Sequence, residues 1–278
     1  MREITLEELL SAGCHFGHQV TRSNPKARDF IFEARDNIHI IDLAKTKQGL
    51  MEGANFIKDL ASRAGTNLVV VGTKRQAKPI VEEHVVLGDG LFYITNRWVG
   101  GLLTNFPEVS KNFKKLQDLT ANIKDPEMRT KYTKKEIGLW EKNRQKLEGF
   151  YGGIEKLEKK PDALFIIDSH LEDLAVREAL KTGVPTVAIV DTNANPDVVD
   201  YPIPANDDAV GSLGLIIGYI MDAWKEGREL AKERMKNEES RVKNEAEKAA
   251  KKSEKVEKKE KSPKVEAKTE KLKAKSKK

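Results

Sequence analysis

The sequence predicts an α/β fold in three layers, in which helices cover both faces of a parallel β-sheet. Four short apolar segments lack the alternation of a half-buried strand; they lie at residues 67–72, 91–94, 163–168 and 186–190. Strands that are buried on both faces have this composition. Segments with helical spacing lie between them, and such alternation favours βαβ units with strands that run parallel.

The remaining elements follow in chain order. A capping box at 5–8 (TLEE) begins a short helix that Gly13 can end, and 38–41 (IHII) is a β-branched strand. Apolar residues recur at helical spacing elsewhere, which predicts helices at 50–64, from 73 onward, at 174–181 and at 210–224. This order of elements is typical of Rossmann- or flavodoxin-like sheets.

Residues 107–160 interrupt the alternation. Two segments have apolar residues spaced by three and four, and the second follows a capping box at 133–136. We expect an antiparallel coiled-coil hairpin that projects from the globule, with a packed helical subdomain as the alternative. The predicted parts are an α/β domain at 1–106 and 161–235, the hairpin at 107–160, and a disordered Lys-, Glu- and Ala-rich tail at 236–278.

Positive charge is concentrated in two places. The chain has 278 residues and a formal net charge of +6. Residues 241–278 contain 16 Lys or Arg and 7 Asp or Glu, and residues 106–160 contain 14 Lys or Arg and 9 Asp or Glu. The rest is acidic, a distribution typical of a protein with a localised polyanion-binding surface. A single cysteine, no signal-peptide pattern and no long apolar run predict a cytoplasmic protein without membrane contact.

The segment 93–106 (YITNRWVGGLLTNF) contains the clearest candidate for RNA contact. Arg97 and Trp98 place a planar cation beside a stacking face, a combination suited to phosphates and unpaired bases. The adjacent Gly100 and Gly101 indicate a close backbone approach or a positive φ. Each residue alone has a structural alternative, with Trp98 in the core and the glycines in a turn.

Two further groups of residues are candidates for binding. Lys74 and Arg75 follow a buried strand, where a phosphate can bind, but no glycine-rich nucleotide motif is present. His15 and His18, with Asp191 and Asp207, offer a nitrogen and oxygen ligand set for a zinc or magnesium ion. The alternative is that both histidines are hydrogen-bonded structural residues.

Several motifs occur in the order found in one known family. They are 15–19 (HFGHQ), 24–26 (NPK), 38–43 (IHIIDL), 71–77 (VGTKRQA), 96–101 (NRWVGG) with 104–106 (TNF), 191–193 (DTN) with 196–197 (PD), and 203–209 (IPANDDA). Over about 5–224 the chain resembles bacterial small-subunit ribosomal protein two. The resemblance implies binding to small-subunit ribosomal RNA between head and body, help in recruiting the large mRNA-binding protein one, no catalysis and no required cofactor.

The leading hypothesis is therefore a structural component of the small ribosomal subunit that binds ribosomal RNA and neighbouring ribosomal proteins, with no small-molecule substrate. The predicted RNA contacts are Arg97, Trp98, Lys111, Lys114, Lys115, Lys131, Lys134, Lys135, Arg144 and Lys146, with Lys74 and Arg75. Two alternatives remain. One is a metal- or phosphate-dependent enzyme that uses His15, His18, Asp168 and Asp191, and the other is a free mRNA-binding regulator.

Overall fold

The computed structural model describes residues 2–85 and 88–236. It divides into two compact units, Met1–Arg228 and Glu229–Lys278. The first contains the sheets and also the residues of the expected hairpin. The second begins with helical residues 229–236. Apart from residue 236, the predicted disordered tail lies outside the described residues.

The strands and helices of the first unit are short and alternate along the chain. The strands are β1 (Phe16–Gln19), β2 (Ile31–Arg35), β3 (Ile38–Ile41), β4 (Leu68–Val71), β5 (Leu91–Ile94), β6 (Ala163–Ile167), β7 (Thr186–Val190) and β8 (Tyr201–Pro204). The helices are α1 (Leu6–Ser11), α2 (Leu43–Ala61), α3 (Ala77–His84), α4 (Phe106–Lys124), α5 (Pro126–Lys131), α6 (Lys134–Tyr151), α7 (Asp173–Thr182) and, at 210–228, α8.

Five strands form the central sheet in the order β5-β4-β6-β7-β8, and all four pairings are parallel. The prediction of a parallel sheet is confirmed. Every residue of β4, β6 and β7 is buried, as the lack of alternation in the sequence indicated. β8 was not predicted, because its sequence contains Pro202 and Pro204. It lies at the edge of the sheet, where a missing N–H does not interrupt the pairing.

Helices cover both faces of this sheet. Alternate residues of a strand point to opposite sides, so Val70 packs into one apolar cluster and Val71 into another. The first cluster includes side chains of α2 and α8, among them the buried Trp224. The second includes α7 and the segment that follows β5. The result is the expected three-layer α/β fold.

A second sheet is antiparallel, with the order β1-β3-β2. Only β3 was predicted. This sheet lies at the carboxyl end of the parallel strands, because the Asn206 N–H donates to the Cys14 carbonyl at 3.0 Å and the His18 N–H donates to the Thr192 hydroxyl at 2.9 Å. Residues from near the start of the chain therefore reach the ends of β7 and β8.

α4 and α6 pack along each other. Phe113 of α4 lies against Tyr151 at the end of α6, with ring centroids 5.5 Å apart, and the Asn112 amide donates to the Tyr151 hydroxyl at 3.2 Å. The Thr133 capping box forms both of its hydrogen bonds and begins α6. No residue of α6 is fully buried, and its half-buried residues include Ile137, Trp140, Arg144, Leu147 and Tyr151.

The last residue of the first unit ties several loops together. The Arg228 guanidinium stacks on Trp224, 4.6 Å from the ring centroid, and donates to the carbonyls of Asp89 at 2.7 Å, Arg63 at 3.1 Å and Thr66.

None of the described helices has the length and apolar character needed to span a membrane.

Candidate RNA interface and ion cluster at the strand ends

The segment that follows β5 is folded around one buried carboxylate. Glu178 of α7 is 7% exposed and accepts hydrogen bonds from the Trp98 indole at 3.2 Å and the Gly101 N–H at 2.7 Å. It also accepts from the N–H groups of Leu103 at 3.2 Å and Thr104 at 3.4 Å, and from the Thr104 hydroxyl at 3.3 Å. The glycine pair is explained in part by Gly101, whose φ is +90°.

Arg97 and Trp98 have different surroundings. Trp98 is 5% exposed and packs in the second apolar cluster, so its ring offers no face to a base. This geometry favours the structural alternative for Trp98. Arg97 is exposed, and among the residues that the structure describes no carboxylate pairs with its guanidinium.

The predicted RNA contacts form two groups, according to whether the cationic side chain pairs with a carboxylate. Glu108 lies 2.7 Å from Lys111, Glu127 lies 3.8 Å from Lys131, and Arg144 bonds to both Glu141 and Glu148 at 2.7 Å. Other predicted contacts are exposed and have no carboxylate partner within residues 2–85 and 88–236; these are Arg75, Arg97, Lys114, Lys115, Lys134, Lys135 and Lys146. We call this set the unpaired cations.

Lys74 lies in an ion cluster at the carboxyl end of the parallel sheet. Its ammonium is 3.1 Å from Asp168, 2.7 Å from Asp207 and 2.8 Å from Asp208, and its side chain is 17% exposed. α3 begins only at Ala77, so Lys74 lies in the turn before it and not at a helix start. These contacts occupy the ammonium and do not favour a phosphate contact for Lys74.

Burial and the neighbouring charges change the pKa values of Lys74 and Asp207 within this cluster. Burial lowers the pKa of Lys74, but the hydrogen bond and charge of Asp207, joined by Asp208 and Asp168, outweigh burial and hold that pKa above its ordinary value. Burial raises the pKa of Asp207 to about 7, with the charges of Asp168 and Asp191 acting in the same direction and Lys74 against it.

Three of the four predicted metal ligands come together beside this cluster. His18, Asp191 and Asp207 each offer a ligand atom, and these atoms lie within 4.8 Å of one another. His18 Nδ1 is 3.1 Å from Asp191, and this hydrogen bond raises the pKa of His18 despite burial. His15 is not in this group, and its Nδ1 is buried without a hydrogen-bond partner among the described residues.

Asp168 is held by its own turn. It has a φ of 68°, and its carboxylate accepts from the N–H groups of His170 and Leu171, both at 3.0 Å. Asp168, one of the residues of the enzyme alternative, is thus occupied by backbone N–H groups and by Lys74, an arrangement that satisfies buried charge.

A family model described as "Ribosomal protein S2" matches residues 9–227. This chain belongs to the ribosomal protein S2 family. Small ribosomal subunit protein uS2 of Geotalea uraniireducens (strain Rf4) is 46% identical over 239 residues, which cover 86% of this chain and 92% of the relative. Its counterpart in a Nitratiruptor species is 44% identical, with 85% and 87% covered. The one in Chloroflexus aurantiacus (strain ATCC 29366 / DSM 635 / J-10-fl) is 46% identical, with 84% and 98% covered.

Membership of the ribosomal protein S2 family confirms several predictions. The chain is a structural protein of the small ribosomal subunit with a role in translation, it is found there in the cytoplasm, and it is not an enzyme. Its partners are among the ribosomal RNA and the other proteins of that subunit. Proteins of this family generally act without a cofactor.

The residue that sequence reasoning missed is Glu178. Its signal was available, because Glu178 lies three residues after Ala175 and one before Ala179, on the apolar face of α7. A charged residue on such a face needs buried hydrogen-bond donors. Which donors satisfy it depends on a segment more than 70 residues away, which periodicity cannot reveal.

Proposed function

We propose that this protein binds ribosomal RNA between the head and body of the small subunit through the unpaired cations. The observation that carries the proposal is that these seven groups are exposed without a carboxylate partner among the described residues, on the segment after β5 and on α4 and α6, with Arg75 beside α3. Phosphate oxygens are the partners that such groups take from RNA, and contacts of this kind position a protein without reading sequence.

Pairing decides which cations contribute most. An ammonium that is free in the unbound protein gives up only water on binding a phosphate. Arg144 must also give up its bonds to Glu141 and Glu148. We therefore expect Lys114, Lys115 and Lys146 to contribute more to RNA affinity than Arg144.

The test is the salt dependence of binding. Full-length protein with Lys114, Lys115 and Lys146 changed to Gln is titrated with small-subunit RNA at several salt concentrations. Each lost phosphate contact should reduce the slope of log affinity against log salt by about 0.7–0.9. In the matched control, Lys47 and Lys58 of α2, which are paired with Glu3 and Glu226, are changed to Gln, and the slope should stay unchanged. Equal slopes for the unaltered protein, the triple variant and the control would contradict the proposal.

The same variants distinguish a subunit component from a free mRNA-binding regulator. In gradient sedimentation of lysate, the unaltered chain should be found in the small-subunit peak and the triple variant should be depleted from it at high salt. RNA binding without co-sedimentation would favour the regulator instead.

α4 and α6 are proposed to act as a coiled-coil hairpin that projects toward the RNA. No residue of α6 is fully buried, which supports this arrangement, because a helix packed into the globule would bury one face. For the lysine-rich tail at 236–278 we propose a disordered segment with weak, salt-sensitive RNA contact, supported by its composition.

Recruitment of the large mRNA-binding protein one is proposed from the family resemblance. Small subunits that lack this chain should then carry less of that protein than complete subunits. Equal amounts in both would contradict the proposal.

A zinc or magnesium ion is proposed at His18, Asp191 and Asp207. Asp207 Oδ2 is buried without a hydrogen-bond partner among the described residues, and one nitrogen with two carboxylate oxygens suits zinc. The ion would hold these three loops together. Metal analysis of purified protein should find about one zinc per chain and a loss of it on His18→Ala; no metal in the unaltered protein would overturn the proposal.

A further inference from the structure

The segment 95–106, here called the β5–α4 segment, is fixed at both sides of Arg97. On one side, the side-chain oxygen of Asn96 accepts from the Lys78 ammonium at 2.6 Å, and the Asn96 amide donates to the Gly149 carbonyl of α6. On the other side, Trp98 is buried and bonded to Glu178. Arg97 itself is exposed between two anchored neighbours.

Glu178 is the common acceptor of this segment. Its Oε1 receives the bonds from Trp98 and Gly101, and its Oε2 receives those from Leu103 and Thr104. An ionised carboxylate accepts several bonds at once and strengthens each, whereas a neutral amide has one accepting oxygen. A glutamine here would present donors to some of these N–H groups, so the segment would have to refold locally.

The segment leads directly into α4. The Asn105 N–H donates to the Gly101 carbonyl at 2.7 Å, and α4 begins at Phe106. The backbone on the carboxyl side of Arg97 and the start of α4 are therefore held by the same carboxylate, through bonds that cross from α7.

We propose that Glu178 is a positioning residue for RNA binding, which holds the β5–α4 segment so that the Arg97 guanidinium is presented to a phosphate. The inference rests on the proposed RNA-binding function and adds a residue that does not touch RNA. Glu178 acts through Arg97, so its contribution to RNA binding should disappear when Arg97 is absent.

A double-mutant cycle tests this coupling with full-length protein and small-subunit RNA. In the unaltered background, Arg97→Ala should reduce the salt slope by about 0.7–0.9, the value of one phosphate contact. In a Glu178→Gln background the same change should reduce it by less than about 0.2, because the contact is already lost. The matched control, Lys146→Gln on α6, should reduce the slope equally in both backgrounds.

Each other outcome has a distinct meaning. If Arg97→Ala reduces the slope equally in both backgrounds, Glu178 has only a structural role and the inference is overturned. If Arg97→Ala has no effect but Lys146→Gln does, the inference is overturned and the proposed function stands. If neither has an effect in any background, the proposed function fails as well.

A second variant keeps the test decisive if Glu178→Gln fails to fold. Thr104→Val removes only the hydroxyl bond to Glu178 and keeps the carboxylate in place. In the Thr104→Val background, Arg97→Ala should reduce the salt slope measurably less than it does in the unaltered background. An equal reduction in both backgrounds would again overturn the inference. Circular dichroism confirms that each variant tested is folded.

Discussion

At the scale of single residues, the ammonium of Lys74 determines how three carboxylates share one edge of the sheet. Asp168 and Asp207 are almost fully buried, and Asp208 lies beside them. Buried like charges repel strongly, and one nearby cation reduces that cost. The main role of Lys74 is therefore to compensate these carboxylates and not to act as a surface cation.

Replacing Lys74 by Met should destabilise the fold by about 3–5 kcal/mol, the cost of leaving buried charges without their partner. The matched control is Lys26→Met. Lys26 pairs with Asp197 at 2.7 Å, but both side chains are more than half exposed, so its loss should cost no more than about 1 kcal/mol. Urea unfolding of both variants measures the difference. Equal midpoints would show that the ion cluster contributes nothing.

The candidate site was predictable from sequence only to the level of which residues carry charge. The carboxyl ends of parallel strands meet at one edge, but β8 was not predicted, so the convergence of Asp207 with Asp191 could not be derived from the sequence. That Lys74 points into this edge while Lys114 points to solvent depends on side-chain packing over long sequence separations. Trp98 was misleading for the same reason, since an exposed and a buried tryptophan look alike in a sequence.

At the scale of elements, the edge strand β5 is protected by the turn that follows α6. The Tyr93 N–H donates to the Gly153 carbonyl at 3.1 Å, and a Cβ on residue 153 would lie 2.7 Å from the Tyr93 ring. An edge strand with free N–H groups invites pairing with other chains. The turn that returns from α6 thus closes one side of the sheet, and only glycine fits there.

Gly153→Ala should accordingly destabilise the protein by about 1–3 kcal/mol through overpacking. Gly138→Ala is the matched control, because nothing lies within 4 Å of the added Cβ on this exposed part of α6. That change should stabilise the protein by about 0.5–1 kcal/mol through helix propensity. Thermal unfolding of the two variants should therefore shift in opposite directions; a shift in the same direction would contradict this account of β5.

Strands were predicted best where the sequence is a continuous apolar run. β5 and β7 match the predicted segments at both ends, because continuous apolar runs between turn residues allow few alternatives. β1 and β2 were missed, since they are short and mostly exposed and carry no apolar pattern. Their pairing with β3 is decided by contacts to the ends of β7 and β8, which the local sequence does not contain.

At the scale of the whole molecule, charge is divided between parts of the chain. Residues 106–160 have an excess of Lys and Arg, as do residues 241–278, and the remainder is acidic. Such a division orients a protein on a polyanion, because the acidic surface is repelled while the basic segments are attracted. It also supports placing the acidic part toward solvent or other ribosomal proteins.

Deleting residues 237–278 should weaken binding to RNA mainly at low salt, where distant lysines are least screened. The thermal midpoint of the remaining chain should change by no more than about 2 °C, because this Lys- and Glu-rich segment has few apolar residues to bury against the fold. Filter binding at two salt concentrations and a thermal scan provide both values. A large fall in the midpoint would show that the tail stabilises the fold.

The contacts between the two ends of the first unit also constrain when it can fold during synthesis. The Tyr219 hydroxyl donates to the Arg2 carbonyl at 3.2 Å across 217 positions, and Gly13 and Cys14 bond to Asn206. β1 can pair with β3 as soon as both are made, but the partners of Gly13 and Arg2 are made 193 and 217 positions later. The contacts of the first residues therefore stay incomplete until α8 emerges, and a newly made copy becomes ready for assembly only after that helix has been made.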